Sequence, residues 1–316
     1  MRIIRSQTGG QSRFGFLKNE IPFYFQENYS SLAELLRQPY AALQESAARA
    51  TAGDPEEDQF LSPVTGPCQI VCQGKNYAEH ILETGIRPED KDYNLLFAKA
   101  ASSLAPPSGS VIRPAHVRLL DYELELGLVI GREIRGPIDV TEENLSTYAA
   151  GIVMANDVSA RDIQVPQGQW FKGKSYRTFC PVGPVLHLFS PGERLGSLEM
   201  ELAVNGNIRQ KTNTDQMIYR PHETLSEVSL LMDLDPGDLI LTGTPGGVAM
   251  KVPSARKRNF FGLFFSEKKM MRLFVESQSK SPKYLRDGDA LESWIRSGDG
   301  RVDLGKQRLR IQTEQK

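Results

Sequence analysis

The chain has 316 residues, of which 40% are hydrophobic and 24% charged, and its formal net charge is −1 at pH 7. These values are typical of a globular protein of one or two domains and give no overall field that attracts nucleic acid. No apolar run reaches the roughly eighteen residues of a membrane span, and the first residues lack the apolar core of a secretory signal. The cysteines are odd in number and lack the spacing of a disulfide framework: Cys68, Cys72 and Cys180. We therefore expect a cytoplasmic protein.

Residues 1–65 are predicted to form a small amino-terminal α+β domain. Short strand-like pieces come first, a helical stretch follows at 31–50, and a polar, Gly- and Pro-containing connector occupies 51–58. We expect the remaining residues, 66–316, to form a second and larger domain.

Strands dominate the larger domain. The patterns predict helices at 76–84, 141–147 and 222–233, and they predict strands at 68–73, 94–98, 121–131, 149–156, 180–188, 199–204, 207–211, 238–242, 289–295 and 307–311. An Asn-Gly pair at 205–206 marks a hairpin between two of these strands. Because no βαβ rhythm repeats, the order favours a β-rich α+β fold, either a sandwich or a barrel-like roll.

Residues 251–283 break this pattern. They contain nine Lys or Arg against two Glu, together with Phe260, Phe261, Phe264, Phe265 and Phe274. One interpretation is a surface insertion whose aromatic residues pack back onto the core. The alternatives are a flap over an active site, a docking face for a partner, or a basic helix lying on a membrane surface.

Two glutamates in the predicted strand 121–131 indicate a cation site. Glu123 and Glu125 are two residues apart, so they point to the same face of a strand, beside an apolar run. Sheltered like charges repel and lose hydration, and a hard divalent cation offsets both costs. Asp157, at the end of the next strand, would complete a three-carboxylate site, with Asp121 as a weaker fourth ligand. The alternative is a solvated strand edge, with Asp157 capping a turn.

The oxygen donors favour Mg²⁺ or Mn²⁺, and no Cys/His cluster has the spacing of a zinc site. His80 and Glu83, three residues apart on a predicted helix, share a face, as a general base and its orienting carboxylate would. An ordinary surface pair is the alternative. Lys99 and Lys174 could each face an anionic substrate, although solvated lysines are more common. The Gly-rich stretch around Thr244 could bind a carboxylate through backbone N–H groups.

The motifs, in their order along the chain, resemble those of the fumarylacetoacetate hydrolase family. They are Gly-Lys-Asn-Tyr-Ala-Glu-His at 74–80, Phe-Ala-Lys-Ala-Ala-Ser-Ser at 97–103, Asp-Tyr-Glu-Leu-Glu-Leu-Gly at 121–127, Asn-Asp-Val-Ser-Ala-Arg-Asp at 156–162, Gly-Lys-Ser at 173–175, Val-Asn-Gly at 204–206 and Leu-Thr-Gly-Thr-Pro at 241–245. The resemblance implies a mixed β-sandwich roll preceded by a small amino-terminal domain. It also implies a homodimer, and Mg²⁺ or Mn²⁺ as cofactor, with Ca²⁺ as a substitute that such a site can hold in crystals.

The resemblance also assigns roles to individual residues. The metal ligands would be Glu123, Glu125 and Asp157; the water-activating pair would be His80 and Glu83; the active-site lysine would be Lys174; and the substrate-binding residues would be Lys99, Gln164 and Thr244. Two departures concern the substrate side, because Lys75 replaces a frequent arginine and Ala100 a frequent proline.

These assignments imply a metal-dependent hydrolase that cleaves a C–C bond in a small, anionic 1,3-dicarbonyl keto acid such as an acylpyruvate or fumarylacetoacetate. In that reaction the metal stabilises an enolate and the His–Glu pair activates water. One alternative is decarboxylation or isomerisation of a β-keto acid such as oxaloacetate, or dehydration of a sugar acid, on the same scaffold. Another is a non-catalytic module that binds partners through the basic segment.

Overall fold

The structure is a computed structural model and describes residues 1–8, 10–53, 59–83, 87, 91–251 and 266–315. The helices are α1 (Leu32–Leu36), α2 (Tyr40–Ala48), α3 (Ala78–Glu83), α4 (Leu145–Tyr148), α5 (Arg161–Gln167), α6 (Trp170–Lys174), α7 (Pro221–Leu231) and α8 (Glu267–Gln278). The strands before residue 115 are β1 (Arg2–Thr8), β2 (Gln11–Lys18), β3 (Ile21–Tyr24), β4 (Thr51–Ala52), β5 (Gln59–Leu61), β6 (Ile70–Gly74), β7 (Leu95–Lys99), β8 (Leu104–Ala105) and β9 (Ser108–Arg113). The later strands are β10 (Leu120–Asp121), β11 (Leu124–Ile130), β12 (Ala149–Asn156), β13 (Ser159–Ala160), β14 (Cys180–Leu188), β15 (Glu199–Val204), β16 (Asn207–Asn213), β17 (Leu239–Leu241), β18 (Ala290–Arg296) and β19 (Asp303–Thr313).

Two mixed sheets organise these strands. The larger sheet has the order β4-β3-β2-β1-β14-β12-β11-β17-β6-β7, with β5 beside β1 and β8 beside β14. The second sheet has the order β16-β15-β18-β19-β9, and β10 pairs with β13 in a short ribbon. Most pairs are antiparallel, but β17–β6, β14–β8 and β19–β9 are parallel. The predicted β-rich α+β class is confirmed.

Strand β11 lies in the interior, with all seven residues buried. Alternate side chains enter two different cores: Leu124, Leu126 and Leu128 enter one, and Val129 enters the other. A strand that is covered on both faces reads as a nearly continuous apolar run, which is what this segment shows. The same burial shelters the carboxylates at its amino-terminal end.

Some predicted boundaries are wrong. The single strand expected at 121–131 divides into β10 and β11, with Tyr122 and Glu123 between them. The helical stretch expected at 31–50 consists of two helices, α1 and α2, separated at Pro39, because proline lacks an N–H donor and disfavours helical geometry in the residue before it. Strand β9 and helices α5 and α6 were not predicted.

The amino-terminal strands join the larger sheet directly. Strand β1 pairs antiparallel with β14, with Arg2 opposite His187 and Ile3 opposite Leu186. Ile3 belongs to the same core cluster as Val129 of β11. The division of the chain at residue 65 stays a prediction, but the backbone hydrogen bonding continues across it.

The basic segment lies only partly within the described residues. Helix α8 covers part of it, and Val275 belongs to the main core with Phe274 packed against it. For Phe274, packing onto the core is therefore confirmed. The other four phenylalanines of the segment, at 260, 261, 264 and 265, lie outside the described residues.

Candidate metal centre and adjoining His–Glu pair

Three buried carboxylates converge where β11 begins and β12 ends. One oxygen from each of Glu123, Glu125 and Asp157 lies within 4.8 Å of the others. The pairing of β11 with β12 explains this convergence, because Leu124 lies opposite Asn156 and the residues flanking that pair come together. The backbone N–H of Asp157 donates to the carbonyl of Glu123 at 2.8 Å and holds the two ends side by side. The structure thus brings together all three residues that the sequence assigned to a metal.

Two buried lysines contact this carboxylate cluster. Nζ of Lys174 donates to Oε2 of Glu123 at 2.5 Å and to Oδ2 of Asp157 at 2.6 Å. Nζ of Lys99 donates to Oδ1 of Asp157 at 2.5 Å and to the carbonyl of Phe179 at 3.0 Å. Burial disfavours a charged Lys174, but the carboxylates of Asp157 and Glu123 outweigh it and raise the pKa of Lys174. Lys174 therefore places a positive charge beside the candidate ligand carboxylates.

Arg161, at the start of α5, is a site residue that the sequence analysis missed. Its Nε donates to Oδ2 of Asp121 at 2.8 Å, its Nη2 donates to Glu123, and its Nη1 donates to Oε1 of Gln164 at 2.8 Å. It lies inside the Asn-Asp-Val-Ser-Ala-Arg-Asp motif, but nothing local indicates that this arginine is buried. Gln164 is itself buried, and its side-chain oxygen is oriented by the same guanidinium.

Asp121 belongs to the support of the site. Besides Arg161, it accepts backbone N–H groups from Tyr122 and Ala249 at 2.9 and 2.8 Å and from Met250 at 3.2 Å. It does not belong to the cluster of three carboxylates that could hold an ion among the described residues. These contacts explain why a fully buried aspartate is tolerated here.

The carboxyl groups of Glu123 and Glu125 have opposite electrostatic environments. Burial favours the neutral form of Glu123, but the charges of Arg161 and Lys174 outweigh it and lower its pKa to about 2. Burial, reinforced by the charges of Asp157 and Glu123, raises the pKa of Glu125 well above its ordinary value. Oε2 of Glu125 accepts the N–H of Gly243 at 2.9 Å, while Oε1 accepts no hydrogen bond from the described residues.

This donor set fits Mg²⁺ or Mn²⁺. All three candidate ligands offer carboxylate oxygens, which hard divalent cations prefer, and a bound cation reverses the electrostatic penalty on Glu125. The available oxygen of Glu125 is the kind of atom such an ion binds. The ion itself stays a prediction.

The His80–Glu83 pair lies on α3, near the carboxylates. Nδ1 of the buried His80 is 3.5 Å from Oε2 of Glu83, an ion-pair distance rather than a hydrogen bond. A charge on the His80 imidazole also lowers the pKa of Glu123, after the larger contributions of Arg161 and Lys174. The N–H of Gly247 donates to both oxygens of Glu83, at 3.0 and 3.2 Å. Burial raises the pKa of Glu83, but His80 and this N–H outweigh it, and the net shift is downward.

Thr244 lies in the loop after β17, against the start of β11. Its hydroxyl donates to the carbonyl of Leu124 at 3.0 Å and accepts from Nε2 of Gln210 at 2.8 Å. Gln210, on β16, is a second residue that the sequence analysis missed, because it lies in a polar strand of a surface hairpin. The structure thus brings the predicted substrate loop to the same strand that carries Glu125.

These features agree with comparisons to known proteins. The model of the fumarylacetoacetate (FAA) hydrolase C-terminal family matches residues 69–312, which is most of the chain. The chain therefore belongs to the fumarylacetoacetate hydrolase family, as the motifs predicted.

The relatives have several different activities in their names. Over 192 residues the chain is 39% identical to the mitochondrial oxaloacetate tautomerase Fahd2a of Rattus norvegicus, an alignment that spans 60% of each protein. It is 39% identical over 183 residues to an uncharacterized protein of Methanocaldococcus jannaschii, spanning 58% of this chain and 73% of that one. Among solved structures, a fumarylacetoacetate hydrolase from Exiguobacterium antarcticum is 30% identical, with a TM-score of 0.72 and coverage of 99% and 100%.

A fourth comparison concerns the fold alone. The structure of a 2-hydroxyhepta-2,4-diene-1,7-dioate isomerase from Mycobacterium marinum covers the whole chain with a TM-score of 0.70 at 24% identity. No helix among the described residues is long and apolar enough to cross a membrane. The cytoplasmic location stays a prediction, because some relatives are named as mitochondrial. The homodimer also stays a prediction.

Proposed function

We propose that the chain is a divalent-metal-dependent enzyme that moves a proton at the carbon between two carbonyl groups of a small, anionic 2-oxo acid. The observation that carries this proposal is the convergence of three buried carboxylates beside a His–Glu pair. We take keto–enol interconversion of oxaloacetate as the first reaction to test, because relatives at 37 to 40% identity are named oxaloacetate tautomerases.

Glu123, Glu125 and Asp157 would hold Mg²⁺ or Mn²⁺. When bound there, the cation would act as a Lewis acid on the oxygens of the 2-oxo acid. Lys174 would add a fixed positive charge on the same side, since its Nζ lies between Glu123 and Asp157. Such preorganised charge stabilises negative charge that develops on oxygen during the reaction.

His80 would move the proton. Glu83 faces Nδ1, which leaves Nε2 of the same ring as the atom that exchanges a proton with substrate or water. The N–H of Gly247 fixes Glu83, so the orientation of the base is linked to the loop that carries Thr244. In that loop, Thr244 is the proposed contact for a substrate carboxylate.

Hydrolysis of a C–C bond in an acylpyruvate is the second candidate. The His80–Glu83 pair favours it, because a base oriented by a carboxylate is what the activation of water requires. The two candidates share the cation and Lys174 and differ in whether His80 deprotonates carbon or water.

A spectrophotometric comparison separates them. With Mn²⁺ present, we expect the chain to accelerate the enol–keto conversion of oxaloacetate, and we expect His80→Asn to lower kcat by about 10²- to 10⁴-fold. His222→Asn, which changes a histidine on α7, is the matched control and should leave kcat unchanged. Cleavage of acylpyruvates without accelerated tautomerisation would select hydrolysis. Turnover of neither substrate class, nor of sugar acids, would refute the proposal and favour a non-catalytic module.

A further inference from the structure

We propose that Gln210 is a positioning residue that locks the metal-ligand strand β11 to the substrate loop at 242–247. Its side chain is 1% exposed and uses its full hydrogen-bonding capacity except one lone pair. Oε1 accepts the N–H of Leu124 at 2.9 Å, and Nε2 donates to Oγ1 of Thr244 at 2.8 Å and to the carbonyl of Pro245 at 3.0 Å. The inference that Leu124 and Thr244 matter for metal and substrate binding rests on the proposed function. The hydrogen bonds themselves are observed independently of it.

Together with a hydrogen bond from Thr244, these contacts form a closed ring of hydrogen bonds around the backbone of Leu124. Leu124 lies between the two candidate glutamate ligands, and its carbonyl accepts the hydroxyl of Thr244 at 3.0 Å. The N–H of Leu124 is held by Gln210 and its C=O by Thr244, so side chains satisfy both polar groups of this residue. A rotation of the Leu124 backbone would displace the Glu123 and Glu125 carboxylates together. The ring therefore couples the geometry of the cation site to the position of Thr244.

A β-bulge directs Gln210 into this ring. In the β15–β16 ladder, Leu202 pairs with Gln210 and Ala203 pairs with Ile208, which leaves Arg209 as the extra residue. Bulges re-aim side chains and are common beside active sites. Gln210 is the one fully buried residue of β16, although the strand reads as polar and exposed.

The same bulge supports the loop at a second point. A Cβ on Gly247 would come within 1.9 Å of the carbonyl oxygen of Arg209, and the φ of Gly247 is +97°. This close approach places the N–H of Gly247 where it donates to Glu83. Arg209 and Gln210 are consecutive residues of this bulge. Arg209 therefore lies against Gly247, which donates to Glu83, while Gln210 donates to Thr244 in the same loop.

Only an amide of this length supplies the acceptor and both donors at once. Glutamate would keep an acceptor for Leu124 and lose the donors to Thr244 and Pro245. Methionine would keep the length and lose all three hydrogen bonds. Since β16 belongs to the second sheet, Gln210 also connects that sheet to the site.

The test compares Gln210→Met with Gln307→Met. Gln307 is equally buried, and within the described part of the chain its side chain makes one hydrogen bond, to the carbonyl of Pro181, so it controls for the loss of a buried amide. We expect Gln210→Met to weaken Mn²⁺ binding, measured by isothermal titration, by about 10- to 100-fold, the usual effect of removing an outer partner of a metal ligand. Gln307→Met should lower the melting temperature and leave Mn²⁺ affinity unchanged. Equal Mn²⁺ affinity in the two variants would overturn the proposal.

Gln210→Glu is the second test variant. It also tests the proposal if the Gln210→Met protein does not fold. Because Leu124 keeps its acceptor while Thr244 and Pro245 lose their donor, we expect KM for the keto acid to rise about tenfold, with Mn²⁺ affinity falling less than in Gln210→Met. An unchanged KM in this variant would overturn the link to Thr244. The Mn²⁺ titration needs no turnover, so it decides the role of Gln210 at β11 even if the proposed reaction is wrong.

Discussion

Nζ of Lys99 donates a hydrogen bond to Oδ1 of Asp157 at 2.5 Å, and both side chains are fully enclosed by protein. The family motifs predict a substrate-binding role for Lys99. A lysine whose Nζ is engaged by Asp157 and the carbonyl of Phe179 is better suited to support a metal ligand. The substrate-side role stays a prediction that the following variant tests.

Replacing Lys99 by Met should lower the free energy of unfolding by about 3–5 kcal/mol, because one partner of a buried ion pair is removed. Since Mn²⁺ bound at the candidate site would supply positive charge to the same aspartate, it should raise the melting temperature more in the variant than in the wild type. Urea denaturation and melting with and without Mn²⁺ measure both effects. Lys172→Met, which changes an exposed lysine of α6, is the control. Wild-type stability together with a raised KM would place Lys99 against the substrate instead.

Replacing Glu125 by Gln should raise the stability of the cation-free protein and abolish cation binding. The raised pKa of Glu125 means that ionising this group costs stability as the pH rises above its ordinary pKa of 4.5. Without divalent cation at pH 7, the variant should therefore melt above the wild type. Mn²⁺ at a hundred times Kd should stabilise the wild type by about 2.7 kcal/mol and leave the variant unchanged. Glu199→Gln, at an exposed position of β15, should respond like the wild type. A full Mn²⁺ response in Glu125→Gln would refute its role as a ligand.

Arg161→Met should make the protein more sensitive to acid. The pKa of Glu123 is lowered to about 2, so its contribution to stability is complete above 4.5 and is lost as the pH falls towards 2. Without Arg161 this pKa rises, and the loss should begin at a higher pH. Acid unfolding followed by circular dichroism measures the shift, with Arg118→Met, an exposed arginine, as control. Coincident acid transitions would show that Lys174 alone keeps Glu123 ionised.

Gly247→Ala should disrupt the loop that holds Glu83. The new Cβ would meet the carbonyl of Arg209 at 1.9 Å and force a positive φ on alanine, so we expect a destabilisation of about 1–3 kcal/mol and a loss of activity. Gly196→Ala, where no atom lies within 4 Å of the added Cβ, is the control and should behave like the wild type. Melting curves and kcat measure the two effects. Unaltered kcat would mean that Glu83 does not depend on the Gly247 N–H.

The carboxylate cluster could be predicted because its signals are local. Glu123 and Glu125 are related by the period of a strand, and Asp157 ends an apolar run that pairs with theirs. Arg161 and Gln210 could not be predicted, because their burial depends on partners 38 and 86 residues away along the chain. A buried arginine or glutamine looks like a surface residue until the strands that cover it are in place.

The boundary error at the start of β11 has the same origin. The split of the strand at Tyr122 and Glu123 depends on contacts with other segments: the N–H of Glu123 is taken by Oδ1 of Asn156, and its C=O accepts from Asp157. Alternation of side chains continues through this break, so the pattern alone does not reveal it. The family motifs contain all three carboxylates of the cluster, although the strand predicted around Glu123 and Glu125 was too long.

The hydrogen bonds between β1 and β14 cover one edge of β14. Strand β14 is next to β12, which leads into Asp157, and β1 occupies its other side. Removal of residues 1–65 would leave the backbone groups of β14 that face β1, around Leu186 and His187, open to pairing with a foreign strand. A shortened chain should therefore self-associate through an edge that lies one strand away from the candidate metal ligands, so the amino-terminal strands protect the chain against aggregation.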